Sequence, residues 1–174
     1  MSTPTPPTHP YAQAGVVGTG AMGRGIAQLL AQTGVAVRLY DSNPDAVAAA
    51  ITQLGDTFGK LAEKGRMTAE AAAAATSRLK PAATLAALAG CDLIVEAIVE
   101  RLDAKRALFA ALEPIVGESA ALATNTSSLS VTAIAAGCKH PERVIGWHFF
   151  NPVPLMKVVE VVDGARTDPA LVER

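Results

Sequence analysis

The sequence has 174 residues, of which 50% are hydrophobic and 18% charged, with a formal net charge of −1. That length suits one domain with a sizeable buried core, and the balance excludes both a basic nucleic-acid surface and a charge-rich disordered chain. No apolar run approaches the roughly 20 residues of a membrane helix, so neither a nucleic acid nor a membrane is an expected partner.

Residues 1–13, with the run STPTPPTHP, have neither the basic n-region nor the apolar h-region of a secretory signal and read as a mobile tail. Cys91 and Cys138 are far apart and lack metal-ligand spacing, so no metal site and no disulfide framework is expected. Two free thiols fit a reducing compartment. A soluble cytoplasmic protein is the resulting expectation.

Residues 14–40 read as strand, glycine turn, helix and strand. Ala14-Gly15-Val16-Val17 is short and apolar and leads into Gly18-Thr19-Gly20-Ala21-Met22-Gly23. Gly18 permits a tight turn, Gly20 lets the backbone approach a pyrophosphate, and Gly23 allows close helix–strand packing. The helix runs on through Leu30 and closes at Gly34, and its start offers free N–H groups and a positive dipole end to phosphates. Val35 to Tyr40 is the second strand. Asp41 lies 18 residues beyond Gly23, near the spacing of a carboxylate that binds an adenosine ribose 2′-OH. A 2′-phosphate would be repelled there, and no arginine immediately follows, so the pattern favours NAD over NADP. A glycine-rich turn alone is weak evidence; strand, helix, second strand and terminal acid in register make it specific.

Pro44 suits the first turn of a new helix, capped by Ser42 or Asn43. Residues 44–80 read as two helices broken around Lys64-Gly65-Arg66, an exposed or packing arm without identifiable chemistry. Asp92 to Glu100 reads as a buried parallel strand, in which Glu96 is either paired or near the strand's mouth. Glu100 and Lys105 flank the loop into a helix spanning Asp103 to Val116. Ligands of open α/β sheets bind beyond the carboxyl ends of strands, where Glu100 falls, although a solvated helix start also explains both charges. Ala121 to Thr124 is a further strand. Asn125 and Ser127 at its mouth can hydrogen-bond a ligand, while Ser130 caps the helix Val131–Ala136. With no base in its own segment, Ser127 is an orienting group rather than a nucleophile.

The run Gly146 to Glu160, GWHFFNPVPLMKVVE, is the most informative. Asn151-Pro152-Val153-Pro154 is a constrained turn, since each proline fixes its own φ and restricts its predecessor. Met156 to Val162 reads as a largely buried β-branched strand. Two strands joined by that turn would bring Glu160 beside His148 and fix the imidazole tautomer, as a general base requires. A core histidine in a buried hairpin is the plain alternative.

Taken together, VVGTGAMGRGIA, LYD, VEAIVERLDAK, NTSSLS and GWHFFNPVPLMKVVE resemble the N-terminal NAD-binding domain of the L-3-hydroxyacyl-CoA dehydrogenases, over most of residues 14–163 and in the family's order. The resemblance implies an α/β fold with a Rossmann-type, doubly wound, mostly parallel sheet and a helical arm insertion. The NAD-binding domain then spans 14–166, and residues 167–174 begin a linker or helix toward a helical domain absent from this sequence. It implies cofactor contacts at Gly18, Gly20, Met22, Gly23, Asp41, Ala97, Ile98, Val99, Glu100, Lys105, Ser127 and Asn151. His148 is implied as the catalytic base and Glu160 as its partner, with Ser127 and Asn151 as polar groups at the reacting centre.

The implied reaction is NAD-dependent oxidation of an L-3-hydroxyacyl-CoA to the 3-ketoacyl-CoA, as in fatty-acid β-oxidation. An acyl-CoA thioester is the implied partner, and the full-length protein is implied to be a homodimer through the helical domain. A short substrate such as 3-hydroxybutyryl-CoA is the default, and dicarboxylic 3-hydroxyadipyl-CoA is the leading alternative. A β-hydroxyacid dehydrogenase on the same cradle, which would lack the HFFNP–MKVVE run, and a non-catalytic NAD-binding module are the competing readings.

Overall fold

A computed structural model describes residues 10–174. Strand β1 (Gln13–Val17) feeds the glycine turn and helix α1 (Ala21–Thr33), and β2 (Ala36–Tyr40) pairs parallel with β1. Gly34, at φ 108°, closes α1 in the left-handed region, and the Val35 N–H reaches back to the Leu30 carbonyl at 3.0 Å. Helices α2 (Pro44–Glu63) and α3 (Ala69–Arg78) form the arm. Asn43 rather than Ser42 caps α2, its side-chain oxygen accepting the Asp45 N–H at 3.1 Å. Val47, Ala50, Leu54 and Phe58 recur at helical spacing along α2 and are buried, as are Ala72 and Ala75 on α3, so the arm packs on the core.

The arm returns through β3 (Leu79–Pro81), a three-residue strand with no clear sequence signal. Then follow β4 (Leu93–Glu96), α4 (Leu102–Leu112), β5 (Ala121–Thr124), α5 (Val131–Ala135), β6 (Val144–Phe149), β7 (Val159–Asp163) and α6 (Pro169–Glu173). The seven-stranded sheet has the order β3-β2-β1-β4-β5-β6-β7. All neighbours are parallel except β6 and β7.

The chain winds outward from β1 in one direction and from β4 in the other. The crevice at that switch point, beyond the carboxyl ends of β1 and β4, is where such sheets bind ligands. Alternate residues of the central strands serve opposite faces. Val16, Leu39, Val95 and Ile145 pack with α1 and the arm, whereas Val17, Ile94, Leu122 and Val144 pack with Phe109, Leu112 and Ile134. Each fully buried side chain of this size contributes about 1.5–3 kcal/mol before entropy is counted.

Two sequence expectations change, for the tail and for β7. Of the tail assigned to residues 1–13, residues 1–9 lie outside the described residues, but residues 11–13 belong to the fold. Tyr11 is buried edge-on against Trp147, with ring centroids 5.9 Å apart, and the Asp92 carboxylate takes the N–H groups of Ala12 and Gln13 at 2.8 and 3.0 Å. Residues 167–174 begin α6, in keeping with the expected helix start, and pack against the domain. The Thr167 hydroxyl donates to the Val144 carbonyl at 2.6 Å, and the Arg174 guanidinium sits 4.7 Å over the Tyr11 ring.

Finally, β7 starts at Val159 rather than Met156 and is exposed along its whole length. It is the last strand of the sheet, and no helix among the described residues covers it from end to end. Apolar β-branched composition reports a preference for burial, whichever surface supplies it. None of the helices among the described residues is long and apolar enough to cross a membrane.

Candidate active site

The glycine turn divides its work as its geometry requires. Gly18 has φ 95°, and a Cβ there would lie 2.6 Å from the Ala97 carbonyl oxygen. A Cβ on Gly23 would lie 1.8 Å from the Gly18 carbonyl oxygen, so helix and turn can meet only without a side chain. At Gly20 a Cβ would meet nothing within 4 Å. Gly20 is also the N-cap of α1, without a capping side chain and with no acidic residue in the first turn. Backbone donors, the positive dipole end and open space therefore coincide, which is the chemistry of a phosphate cradle.

Asp41 follows β2 directly. Its Oδ2 accepts the Thr19 N–H at 2.8 Å and the Thr19 hydroxyl at 2.9 Å, and Oδ1 accepts the Asn43 N–H at 3.1 Å. Partial burial pushes the carboxyl up, but the hydrogen bonds from Thr19, Asn43 and Ser42 together hold it below the usual carboxylate range. Asp41 thus ties the turn after β1 to the end of β2, and its remaining lone pairs suit a ribose hydroxyl. Thr19, hidden at a variable position of the glycine motif, is a contributor the sequence reading missed.

Beyond β4, Glu96 is fully buried and saturated. Oε1 accepts the Ile98 N–H at 2.7 Å and the Lys105 ammonium at 2.6 Å, while Oε2 accepts the Thr124 hydroxyl at 2.7 Å. Of the two options left by the sequence, Glu96 is paired. Lys105 also lies 3.1 Å from Glu100 Oε2, and its side chain is 0% exposed. Lys105 does not line the cleft itself: two carboxylates enclose the ammonium, and Glu100 stands between it and the cleft. Glu100 Oε1 accepts the Thr126 hydroxyl and, at 3.3 Å, the Ser127 N–H. Thr126, also missed from the sequence, further accepts the Leu129 N–H at 3.0 Å and so shapes the Ser127 loop.

The hairpin closes the site. His148 and Glu160 are register partners in β6 and β7, and His148 Nδ1 lies 2.7 Å from Glu160 Oε2. A carboxylate at that distance holds a proton on Nδ1 and leaves Nε2 as the basic position. The two rings of His148 and Phe150 are tilted, with centroids 4.6 Å apart. The β6–β7 turn is seated on α1: Val153 is buried, and a Cβ on Gly25 would come 2.7 Å from its Cβ. Gly25 thereby sets the position of the Asn151–Pro152 segment. Asn125 latches the hairpin, its Oδ1 accepting the Phe149 N–H at 2.9 Å, and it also lines the cleft.

These elements enclose a cleft of about 360 Å³ lined by Met22, Ala97, Ile98, Glu100, Asn125, Ser127, His148 and Asn151, together with Phe149 and Phe150. Val99 is exposed and does not line it, and the Ile98 N–H is already given to Glu96. A neighbouring cleft of about 160 Å³ contains Ser127, His148 and Glu160. Ser127 and His148 form the wall common to both. Another hollow, about 320 Å³, lies by the opposite ends of β5 and β6 among Arg143, Asp168 and Arg174, away from the carboxyl ends where such sheets bind ligands.

Residues 13–174 match the family model described as the 3-hydroxyacyl-CoA dehydrogenase NAD binding domain. A 3-hydroxyadipyl-CoA dehydrogenase of Escherichia coli (strain K12) is 46% identical over 159 residues, covering 91% of this chain and 34% of that protein. A probable 3-hydroxybutyryl-CoA dehydrogenase of Bacillus subtilis (strain 168) is 44% identical over 152 residues, covering 87% of this chain and 53% of the relative. The crystal structure of a 3-hydroxybutyryl-CoA dehydrogenase from Escherichia coli K12 superposes with a TM-score of 0.92 at 45% identity, over 95% of this chain and 35% of that one. The chain therefore spans between a third and about half the length of these two curated relatives. With the glycine cradle, Asp41 and the switch-point crevice, the match over residues 13–174 shows that this chain belongs to the family of NAD-binding domains of the 3-hydroxyacyl-CoA dehydrogenases.

Proposed function

We propose that the protein oxidises an L-3-hydroxyacyl-CoA to the 3-ketoacyl-CoA with NAD, as a 3-hydroxybutyryl-CoA dehydrogenase does. The observation that carries this reading is the 2.7 Å contact of His148 Nδ1 with Glu160, set in the wall between two clefts. Nε2 of His148 takes the proton of the substrate's 3-hydroxyl, and Glu160 stabilises the imidazolium that forms. When bound, the nicotinamide supplies the acceptor for hydride leaving the same carbon. In the reverse direction the imidazolium returns its proton to the substrate oxygen. Ser127 and Asn151 orient polar groups at the reacting centre, and Gly18, Gly20, Met22, Gly23 and Asp41 hold the dinucleotide. Proton transfer of this kind is worth roughly 10²–10⁴ in rate.

The same reading takes an acyl-CoA thioester as partner, a cytoplasmic setting, and a homodimer formed through an additional helical domain. Leu155, Met156 and Val158, exposed beside the hairpin, support a covering surface of that kind. The E. coli relative named 3-hydroxyadipyl-CoA dehydrogenase favours a dicarboxylic substrate as a second reading.

The test is loss of NADH absorbance on adding acetoacetyl-CoA, against a thioester-free control. Turnover supports the dehydrogenase reading, and comparing kcat/KM for acetoacetyl-CoA and 3-oxoadipyl-CoA then separates the two substrates. NADH binding without thioester turnover would reduce the protein to a cofactor-binding module. Turnover of a free hydroxy acid in place of its thioester would move it to the β-hydroxyacid dehydrogenases.

A further inference from the structure

Lys105 faces two carboxylates, and they are not equivalent. Its Nζ lies 2.6 Å from Glu96 Oε1 and 3.1 Å from Glu100 Oε2, with Lys105 and Glu96 both 0% exposed. Glu96 is saturated by Ile98, Lys105 and Thr124 and has no surface toward the cleft. The Glu100 side chain is 38% exposed and is the only carboxylate among the described residues that lines the 360 Å³ cleft. Partial burial pushes its carboxyl up, but the Thr126 hydroxyl, Lys105 and the Ser127 N–H hold it below the usual range, so it is ionised at neutral pH.

One ammonium and two carboxylates sum to −1, and the ammonium sits nearer the buried partner. The surplus charge therefore stands at Glu100, in the cleft wall. The carboxylate of the neighbouring cleft, Glu160, is committed to His148 Nδ1. A buried ion pair is poor evidence of a stabilising role, because apolar packing of the same volume often does as well. A third, unmatched charge aimed into a cleft calls for a different account.

We infer that the Glu96–Lys105–Glu100 triad makes the site sense the redox state of its cofactor, favouring the oxidised, positively charged nicotinamide over the reduced, neutral ring. This rests on the function proposed above and seats the nicotinamide in the cleft that Glu100 lines with Ser127 and His148. The phosphates and adenosine are the same in both redox forms, so Gly20 and Asp41 cannot discriminate between them. Only a charge near the ring can, and a fixed carboxylate in the cleft wall acts on it at short range, moderated by the solvent that reaches Glu100. Glu96 is a positioning residue here: by matching Lys105 it keeps the ammonium from neutralising Glu100.

Glu100→Gln and Glu96→Gln each bring the triad from −1 to 0, one inside the cleft and one behind it. Glutamine at 100 still accepts from Thr126 and Ser127. Dissociation constants for NAD⁺ and NADH, measured separately by titration calorimetry without thioester, should show NAD⁺ weakened about tenfold and NADH changed less than about twofold in both variants. A merely structural role would weaken both cofactors together; that result, or a loss confined to NADH, overturns the inference. Circular dichroism checks folding, and if Glu96→Gln does not fold, Glu100→Gln decides alone. Wild-type protein that binds neither cofactor would sink the cofactor reading itself, whereas intact wild-type binding with an unmoved ratio sinks only the triad.

Discussion

Substituting Gly20 and Gly23 by alanine, one at a time, should separate cofactor binding from stability within four residues of chain. A Cβ on Gly23 would start 1.8 Å from the Gly18 carbonyl oxygen, and real contacts need at least 3.0 Å, so the turn or α1 must shift by more than 1 Å. Both partners are backbone, and overpacking against rigid structure costs about 3 kcal/mol. Alanine recovers roughly 1 kcal/mol of helix propensity over glycine, leaving a net loss of about 2 kcal/mol. For a domain of this size that lowers the melting temperature by roughly 4–8 °C.

At Gly20 the added Cβ meets nothing within 4 Å and φ is −64°, which alanine adopts freely. The stability cost is then only the poorer N-cap, about 0.5 kcal/mol. The Cβ instead fills the space left for a pyrophosphate, so NADH affinity should fall at least about tenfold. Thermal melts and NADH fluorescence titration on the same samples check both halves. A Gly23→Ala protein melting within a degree of wild type would refute the packing argument. A Gly20→Ala protein with undiminished NADH affinity would refute the phosphate cradle.

His148→Ala should lower kcat by roughly 10²–10⁴ while NADH affinity stays within a few-fold; Glu160→Gln should lower kcat with KM little changed, both read in the acetoacetyl-CoA assay. Asp41→Ala strands the N–H and hydroxyl of Thr19, so it should cost about 1.5–3 kcal/mol in stability and lower the NADH-over-NADPH preference, checked by melting and by paired titrations. Burial, with Glu113 adding to it, pushes the Cys138 thiol up to about 11. A raised thiol pKa disfavours the thiolate, so at pH 8 only about one molecule in a thousand is reactive. Iodoacetamide labelling of Cys138 followed by mass spectrometry should then be slow and accelerate about tenfold per pH unit up to pH 10.

The glycine turn, Asp41 and the His148–Glu160 approach were legible in the sequence because each is fixed by local rules. A positive φ demands glycine, an acid at a strand end falls at a set spacing, and a short turn between strands dictates which residues face each other. What the sequence withheld depends on three-dimensional neighbours. Lys105 looks like a solvated helix charge, yet Glu96 and Glu100 draw it fully inside. Tyr11 sits next to a proline-rich run but finds Trp147 across the fold. The burial of β7 was misjudged because composition records an apolar surface without naming what covers it. Thr19 and Thr126 carried no signal, since a threonine in a turn has many uses. Only the sheet brings them to Asp41 and Glu100.

The pairing of β6 with β7 also governs how the His148 ring is held. His148 stands on a strand gripped from both sides, by β5 and β7, but its partner stands on the outermost strand. Side chains alternate between faces with each residue, so a slip of one position in β7 would turn Glu160 away and set Val159 or Val161 opposite the imidazole. The tautomer of one imidazole is thus decided by the register of the sheet's least sheltered strand, and a slip or fraying of that strand would free the ring from its carboxylate.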